Sequence, residues 1–128
     1  MVKKVCLITG ATSGLGKCIS LKLFSKGYKL ILVSKSKSKL DELRNIIGAN
    51  NIKYFCVDLS NLQETKRFLN KISSIDILIN NAGGFYFKKE KNIRKFNRTL
   101  VLNYYTPYLL ILKMLNKKKT KKLVINIS

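Results

Sequence analysis

Short apolar runs alternate with stretches of helical spacing along the whole chain. Five runs, Lys4–Thr9, Lys29–Ser34, Lys53–Asp58, Asp76–Asn80 and Lys122–Ile127, are nearly continuous in Val, Ile, Leu, Phe and Cys. Such runs predict parallel strands buried on both faces, because a half-exposed strand would alternate apolar and polar positions. Between the first two runs, Leu15, Ile19 and Leu23 recur every four residues and Gly27 follows as a helix terminator. Leu40, Leu43 and Ile47 repeat the pattern, with Ser38 as the expected N-cap and Gly48 as the stop. Ser60 and Gln63 read as a capping box ahead of Leu62, Phe68 and Leu69. The order βαβαβαβ(α)αβ predicts a parallel sheet with helices on both faces. One long helix or two precede the last strand; the pattern leaves this open. Leu100–Leu115 is apolar almost all the way round and predicts a buried helix. Gly83–Lys91 is the least regular piece and reads as a loop.

Composition adds limits. A chain of 128 residues suits one domain, and a 46% hydrophobic content argues against wholesale disorder. The 26 basic and 6 acidic side chains give a formal charge of +20, which raises a nucleic-acid or membrane-surface partner. Lys far outnumbers Arg, and Asn and Ile are also abundant, a mixture that A/T-rich codon usage produces with no selected partner. The basic clusters at Lys35–Lys39, Lys88–Lys95 and Lys117–Lys122 fall in expected loops or helix ends. Phe85, Tyr86 and Phe87 beside Lys88 are their closest approach to a base-stacking platform. Scattered solvated lysines explain the charge better than nucleic acid does. No apolar run reaches bilayer length, and Val5–Ile8 is too short for a signal peptide. Cys6, Cys18 and Cys56 are widely spaced, lie in apolar runs and lack metal-ligand spacing, and the chain has no His. They are expected to be three buried thiols in a reducing, cytoplasmic setting, with no metal site.

The chemistry begins at Thr9-Gly10-Ala11-Thr12-Ser13-Gly14-Leu15-Gly16, between the first strand and the first helix. Glycines there let backbone approach a phosphate, while free N–H groups and the helix dipole favour negative charge. A glycine triplet alone is weak evidence, since tight turns also want glycine. Its place in a strand–turn–helix unit strengthens it. The spacing is G-x-x-x-G-x-G, not the G-x-G-x-x-G of ordinary dinucleotide folds.

With that spacing the run resembles the cofactor motif of the short-chain dehydrogenase/reductase family, and the resemblance continues down the chain in order. Asp58-Leu59-Ser60 is similar to the family's adenine-contacting turn, Asn80-Asn81-Ala82-Gly83 to its N-N-A-G motif, and Asn103-Tyr104-Tyr105-Thr106-Pro107-Tyr108 to the helix carrying its catalytic Asn. Leu123-Val124-Ile125-Asn126-Ile127-Ser128 looks like the strand leading to its catalytic Ser. Each piece has a plainer reading too: Asp58 as a residue approaching a helix cap, and Asn80–Gly83 as a turn. The resemblance implies an α/β fold, a three-layer Rossmann-type doubly wound parallel sheet of strand order 3-2-1-4-5, C-terminally incomplete. Residues 1–128 would form a single, partial NAD(P)-binding domain. It implies cofactor contacts at Gly10, Thr12, Ser13, Gly14, Leu15 and Gly16, at Asp58 and Leu59, and at Asn81, Ala82 and Gly83, with Asn80 holding the sheet together.

Dinucleotide folds that prefer NAD place an acid at the end of the second strand. That position is Ser34 here, followed by Lys35, and no carboxylate occurs until Asp41. A hydroxyl and an ammonium suit a 2′-phosphate, and family members that prefer NADP often carry Arg at the Lys35 position. NADP is therefore expected over NAD. Asn103 is a polar residue in an apolar helix and needs a partner. Pro107, four residues on, has no N–H, so the Asn103 carbonyl loses its ordinary donor. The resemblance implies a supporting role for Asn103 in a proton relay.

The family transfers hydride between a nicotinamide and a carbonyl or alcohol carbon, using a Tyr as acid/base with a Lys four residues on and a Ser nearby. Here Tyr28 is followed at that distance by Leu32, Tyr54 by Asp58, Tyr86 by Glu90, Tyr104 by Tyr108, and Tyr108 by Leu112. Ser128 aligns with the first of the family's two strand-end serines. The chain thus reads as an oxidoreductase truncated before its acid/base, expected to bind cofactor without turnover and to leave an apolar sheet edge at its last strand. A fragment, a truncated gene product and a remnant all fit. A non-catalytic nucleotide-binding or regulatory protein is the alternative function, and a nucleic-acid binder the third. The substrate and the oligomeric state stay open.

Overall fold

The computed structural model describes residues 3–86, 97–116 and 121–127. Five strands, β1 (Val5–Thr9), β2 (Lys29–Ser34), β3 (Ile52–Cys56), β4 (Ile77–Asn80) and β5 (Leu123–Asn126), form one parallel sheet in the order β3-β2-β1-β4-β5. Helices α1 (Gly14–Ser25), α2 (Lys37–Ile47) and α3 (Leu62–Lys71) connect the first four strands. The return to β5 carries α4 (Arg98–Leu100), a π-helical turn at Val101–Tyr105 and α5 (Thr106–Leu115) without a break, so a single helical run is described there. The Rossmann-type doubly wound fold and its strand order are those the resemblance implied.

The continuous apolar strands are explained by two cores. Successive side chains on a strand point to opposite faces, so Leu7, Ile31, Val33 and Leu78 join the core beneath α3 and α5 with Phe68, Leu110 and Met114. Cys6, Ile8, Leu30, Leu32 and Ile79 join the other, with Leu43 and Ile47 of α2. The expectation of double burial fails at the outer strands. Lys53 and Cys56 of β3 and Leu123 and Ile125 of β5 are exposed, because an edge strand has a neighbour on one side only. At the amino end of the sheet, Asp76 ties three strands: Oδ2 accepts from the Val5 N–H at 2.9 Å, and Oδ1 receives Lys122 Nζ at 3.3 Å. Lys122 Nζ also donates to the Ile75 carbonyl at 2.7 Å.

Several local expectations are corrected. The N-cap of α2 is Ser36, whose Oγ accepts from the Lys39 N–H, while Ser38 lies inside the first turn; β2 ends so close by that the helix starts earlier. The N-cap of α3 is Asn61, accepting from the Gln63 and Glu64 N–H groups at 3.0 and 3.1 Å. The Ser60 hydroxyl is turned instead toward Asp58 and Arg98, donating to Asp58 Oδ1 at 2.6 Å and accepting from Arg98 Nε at 3.0 Å. Only Cys6 is buried; Cys18 and Cys56 are exposed, the first on the outer side of α1 and the second on the edge strand. The Leu100–Leu115 helix is not buried all round. Val101, Leu102, Thr106, Leu110 and Met114 face the sheet, whereas Leu100, Tyr104, Tyr108, Leu112 and Leu115 are exposed. A helix laid on a sheet covers one side, and an all-apolar pattern cannot say which. The expected loop at Gly83–Lys91 is irregular over Gly83–Tyr86, and the remainder lies outside the described residues, as do Ser128 and most of the basic clusters at Lys88–Lys95 and Lys117–Lys122.

Candidate nucleotide site

The carboxyl ends of β1 and β4 are locked together. Thr9, the last residue of β1, is 2% exposed, and its Oγ1 accepts from the backbone N–H groups of Asn81 and Ala82, each at 3.0 Å. Asn81 returns the contact, its Nδ2 donating to the Gly10 carbonyl at 3.1 Å. The chain turns sharply at Gly10, with φ +62°, a conformation that favours glycine. Gly16 lies beneath this turn: a Cβ there would collide with the Gly10 carbonyl oxygen and the Asn81 amide. The third glycine therefore serves close packing of helix against strand. Ser20, one turn further, donates to the Ala11 and Gly16 carbonyls at 3.2 and 2.8 Å and so holds α1 to the turn.

A cavity of about 320 Å³ opens above these strand ends, within the size range of small-molecule sites. It lies where the strand order reverses between β1 and its neighbours, the crevice in which open α/β sheets bind ligands. Gly10, Thr12 and Ser13 line it from the glycine turn, Ser34 and Lys35 from the end of β2, Asp58 and Leu59 from beyond β3, and Asn81, Ala82 and Gly83 from beyond β4. Gly14, Leu15 and Gly16 do not line it; Leu15 is 55% exposed at the start of α1 and Gly16 packs inward.

At the β2 end, the hydroxyls of Thr12 and Ser34 lie 2.7 Å apart, and Ser34 Oγ accepts from the Ser36 N–H at 3.2 Å. Ser36 and Lys39 join Lys35 in the lining, so this end combines hydroxyls with two ammonium groups. Among the described lining residues Asp58 is the one carboxylate. Its Oδ1 accepts from the Ser60 N–H at 3.0 Å as well as from the Ser60 hydroxyl, and its Oδ2 accepts from Arg98 at 3.1 Å. Burial pushes this carboxyl up, but the Ser60 hydrogen bonds and the Arg98 and Lys35 charges outweigh it, leaving the pKa below its ordinary 3.8. Arg98 also donates from Nε to Ser60 Oγ at 3.0 Å and lays its guanidinium 4.0 Å from the centre of the Tyr86 ring. The Lys35 ammonium lies 5.9 Å from the same ring, reaching from the β2 side of the cavity to the β4 side.

Asn103 stands behind the wall and not in it. Its Oδ1 accepts from the Gly84 N–H at 3.2 Å and its Nδ2 donates to the Gly84 carbonyl at 2.7 Å, so one side-chain amide holds both polar groups of a lining residue. Asn103 itself is exposed, because it lies off the side of the helix that faces the sheet, so burial does not force this pairing as the apolar helix pattern suggested. Next to it, Thr106 Oγ1 donates to the Leu59 carbonyl at 2.7 Å, and the π turn carries the Thr106 N–H to the Val101 carbonyl, just ahead of Pro107. Sequence reasoning missed Lys39, Gly84 and Arg98 as parts of this region. Tyr86 drew notice only as part of an aromatic cluster, and the forty positions between Asp58 and Arg98 left no local signal for their ion pair.

A glycine turn at the switch point of a parallel sheet, facing a cavity of hydroxyl, ammonium and backbone groups, is the arrangement of a Rossmann-type fold. A sequence model of the short chain dehydrogenase family matches residues 4–128, and the chain belongs to that family. An 11-beta-hydroxysteroid dehydrogenase-like protein of Arabidopsis thaliana is 30% identical over 139 aligned positions, covering 100% of this chain and 45% of the relative. Among solved structures, the bulky-bulky ketone specific alcohol dehydrogenase of Comamonas testosteroni superposes with a TM-score of 0.82 at 26% identity, covering 98% of this chain and 54% of that one. A metagenomic short-chain oxidoreductase in complex with NADP superposes with a TM-score of 0.81 at 26% identity, covering 98% of this chain and 61% of that one. The chain spans about half the length of the relatives it matches. Among the described residues, no helix is long and apolar enough to cross a membrane, and no cluster of His, Cys, Asp and Glu could hold a metal.

Proposed function

We propose that the chain is the nicotinamide-dinucleotide-binding part of an oxidoreductase that interconverts a carbonyl and an alcohol, and that it takes NADP in preference to NAD. The observation that carries the reading is the donor set of the cavity. Thr12, Ser13, Ser34 and Lys35 offer hydroxyls and an ammonium, groups suited to a diphosphate and a 2′-phosphate, and Asp58, the one carboxylate among the described lining residues, is already tied to Ser60 and Arg98. A carboxylate at Ser34, the feature that favours an unphosphorylated ribose, is absent. The NADP complex of the metagenomic relative supports the same cofactor class.

When bound, the dinucleotide supplies the hydride donor or acceptor. The chain's own residues do the rest: Gly10 lets backbone approach the phosphates, Ser34 and Lys35 receive the phosphorylated ribose, and Asp58 and Leu59 border the base. Asn81, Ala82 and Gly83 run along the cofactor, while Asn103 keeps Gly84 in place beside them. None of the Tyr residues compared with the family's acid/base motif has the required Lys four positions on. The 128 residues by themselves are therefore proposed to bind the cofactor without turning over a ketone or alcohol. The unpaired thiols Cys6, Cys18 and Cys56 support a reducing, cytoplasmic setting.

Titration of the 128-residue chain with NADPH and NADH tests the reading, with tighter binding of NADPH expected. Tighter binding of NADH overturns the preference. Failure to bind either dinucleotide overturns the function. A robust reductase rate on a simple carbonyl overturns the absence of turnover.

A further inference from the structure

We infer that Arg98 is a positioning residue that sets base selectivity at the Asp58 end of the cavity. The inference rests on the nucleotide reading above and adds to it a residue outside every motif. Arg98 begins α4, held by its N-cap Asn97, whose Oδ1 accepts from the Thr99 and Leu100 N–H groups at 2.8 and 3.4 Å. From there one side chain makes three contacts: NH2 to Asp58 Oδ2, Nε to Ser60 Oγ, and the flat of the guanidinium against Tyr86. Asp58 and Tyr86 both line the cavity, on chain segments that follow different strands. Arg98 therefore cross-links two walls of one site.

The count of acceptor positions shows what this does to Asp58. A carboxylate has about four, two on each oxygen. Ser60 fills both on Oδ1, through its N–H and its hydroxyl, and Arg98 fills one on Oδ2. One position on Oδ2 is left, and it is fixed in direction because both oxygens are held. It accepts an amino group and repels a carbonyl. A purine whose ring edge carries an amine is matched there, and one carrying a carbonyl sets acceptor against acceptor. Without Arg98 the carboxylate has a second open position on Oδ2 and a free torsion, so it accommodates either edge through water. Lys cannot substitute fully, because an ammonium has neither the planar fork nor the stacking face.

The test compares NADPH with its hypoxanthine analogue, in which a carbonyl replaces the adenine amine, on the 128-residue chain, its Arg98→Met and Arg98→Lys variants. The unmodified chain is expected to bind the adenine form about ten-fold more tightly, the scale of one hydrogen bond to a charged group. Arg98→Met is expected to bring the ratio to within about two-fold, by weakening adenine binding more than hypoxanthine binding. Arg98→Lys, which retains the charge beside Asp58, is expected to fall between and serves as the decisive variant if Arg98→Met does not fold. Equal weakening of both forms, or an unchanged ratio, in a folded variant overturns the inference and leaves the nucleotide reading standing. A chain that binds both forms equally also overturns only the role of Arg98. A chain that binds neither overturns both.

Discussion

Thr9 and Asn81 are joined across 72 positions by a 3.0 Å hydrogen bond from the Asn81 N–H to the Thr9 hydroxyl oxygen, and the Ala82 N–H shares the same acceptor. The glycine turn and the wall opposite it are thus one unit, built around a buried oxygen. Thr9→Val keeps the shape and removes that oxygen, leaving two backbone donors without their partner. The expected loss is about 1–3 kcal/mol of stability, accompanied by weaker dinucleotide binding. Thr9→Ser retains the hydroxyl and is expected to stay within about 1 kcal/mol of the unmodified chain. Denaturant titration of both variants distinguishes loss of the oxygen from loss of the methyl group.

Gly16→Ala sets two effects against each other. Alanine in a helix is favoured over glycine by about 1 kcal/mol. The added Cβ, however, meets the Gly10 carbonyl and the Asn81 amide, both held by the unit described above, and overpacking of this kind costs about 1–3 kcal/mol. Packing is expected to win, giving a net loss of stability and of cofactor affinity. Gly14 has open space where its Cβ would lie but a φ of +52°, so Gly14→Ala is expected to cost about 1 kcal/mol from backbone strain alone. A Gly16→Ala variant as stable as the unmodified chain contradicts the packing.

Thiol labelling reports the burial pattern directly. Cys18 and Cys56 are exposed, while burial pushes the Cys6 thiol up to about 12. A thiolate-seeking reagent at neutral pH is expected to label Cys18 and Cys56 in the folded chain and Cys6 only after denaturation. Rapid labelling of all three without denaturant contradicts the placement of β1 at the centre of the sheet.

Acid sensitivity follows from Asp58. Its carboxyl lies below the ordinary 3.8 in the folded chain. The stabilisation it brings is therefore complete above the unfolded value and is lost as the pH falls through the folded one. The expected window is below about pH 4, with no change from this group between about pH 5 and 7. Asp58→Asn is expected to flatten that acid limb in a denaturation series. An equally steep limb in the variant places the acid sensitivity elsewhere.

How much was readable before the structure depended on the distance over which each feature acts. The glycine turn, the separate apolar strands and the end of α1 at Gly27 are local patterns, and each could be read from a window of a few residues, whereas the parallel arrangement took the βαβ alternation of the whole chain and the strand order took the family resemblance. The caps show the limit of such windows. Ser60 has the right spacing for a capping box, yet Asp58 takes its hydroxyl and Asn61 caps the helix instead. Gly14, Leu15 and Gly16 belong to the same motif as Gly10, but only the turn itself reaches the cavity.

The order of apolar and polar residues by itself determined the α/β class, the strand count and the place of the glycine turn, because these follow from side-chain period and turn chemistry. Only the tertiary structure decided which faces are covered. The apolar helix from Leu100 to Leu115 contacts the sheet on one side, and strands β3 and β5 are half-exposed because they lie at the edges. It also decided the neighbours of each polar group. Asn103 grips Gly84, and Arg98 reaches Asp58, because the crossover returns its helix past the ends of β3 and β4. Hydrogen bonds and ion pairs act over a few ångströms of space, and that distance is set by topology, not by separation along the chain.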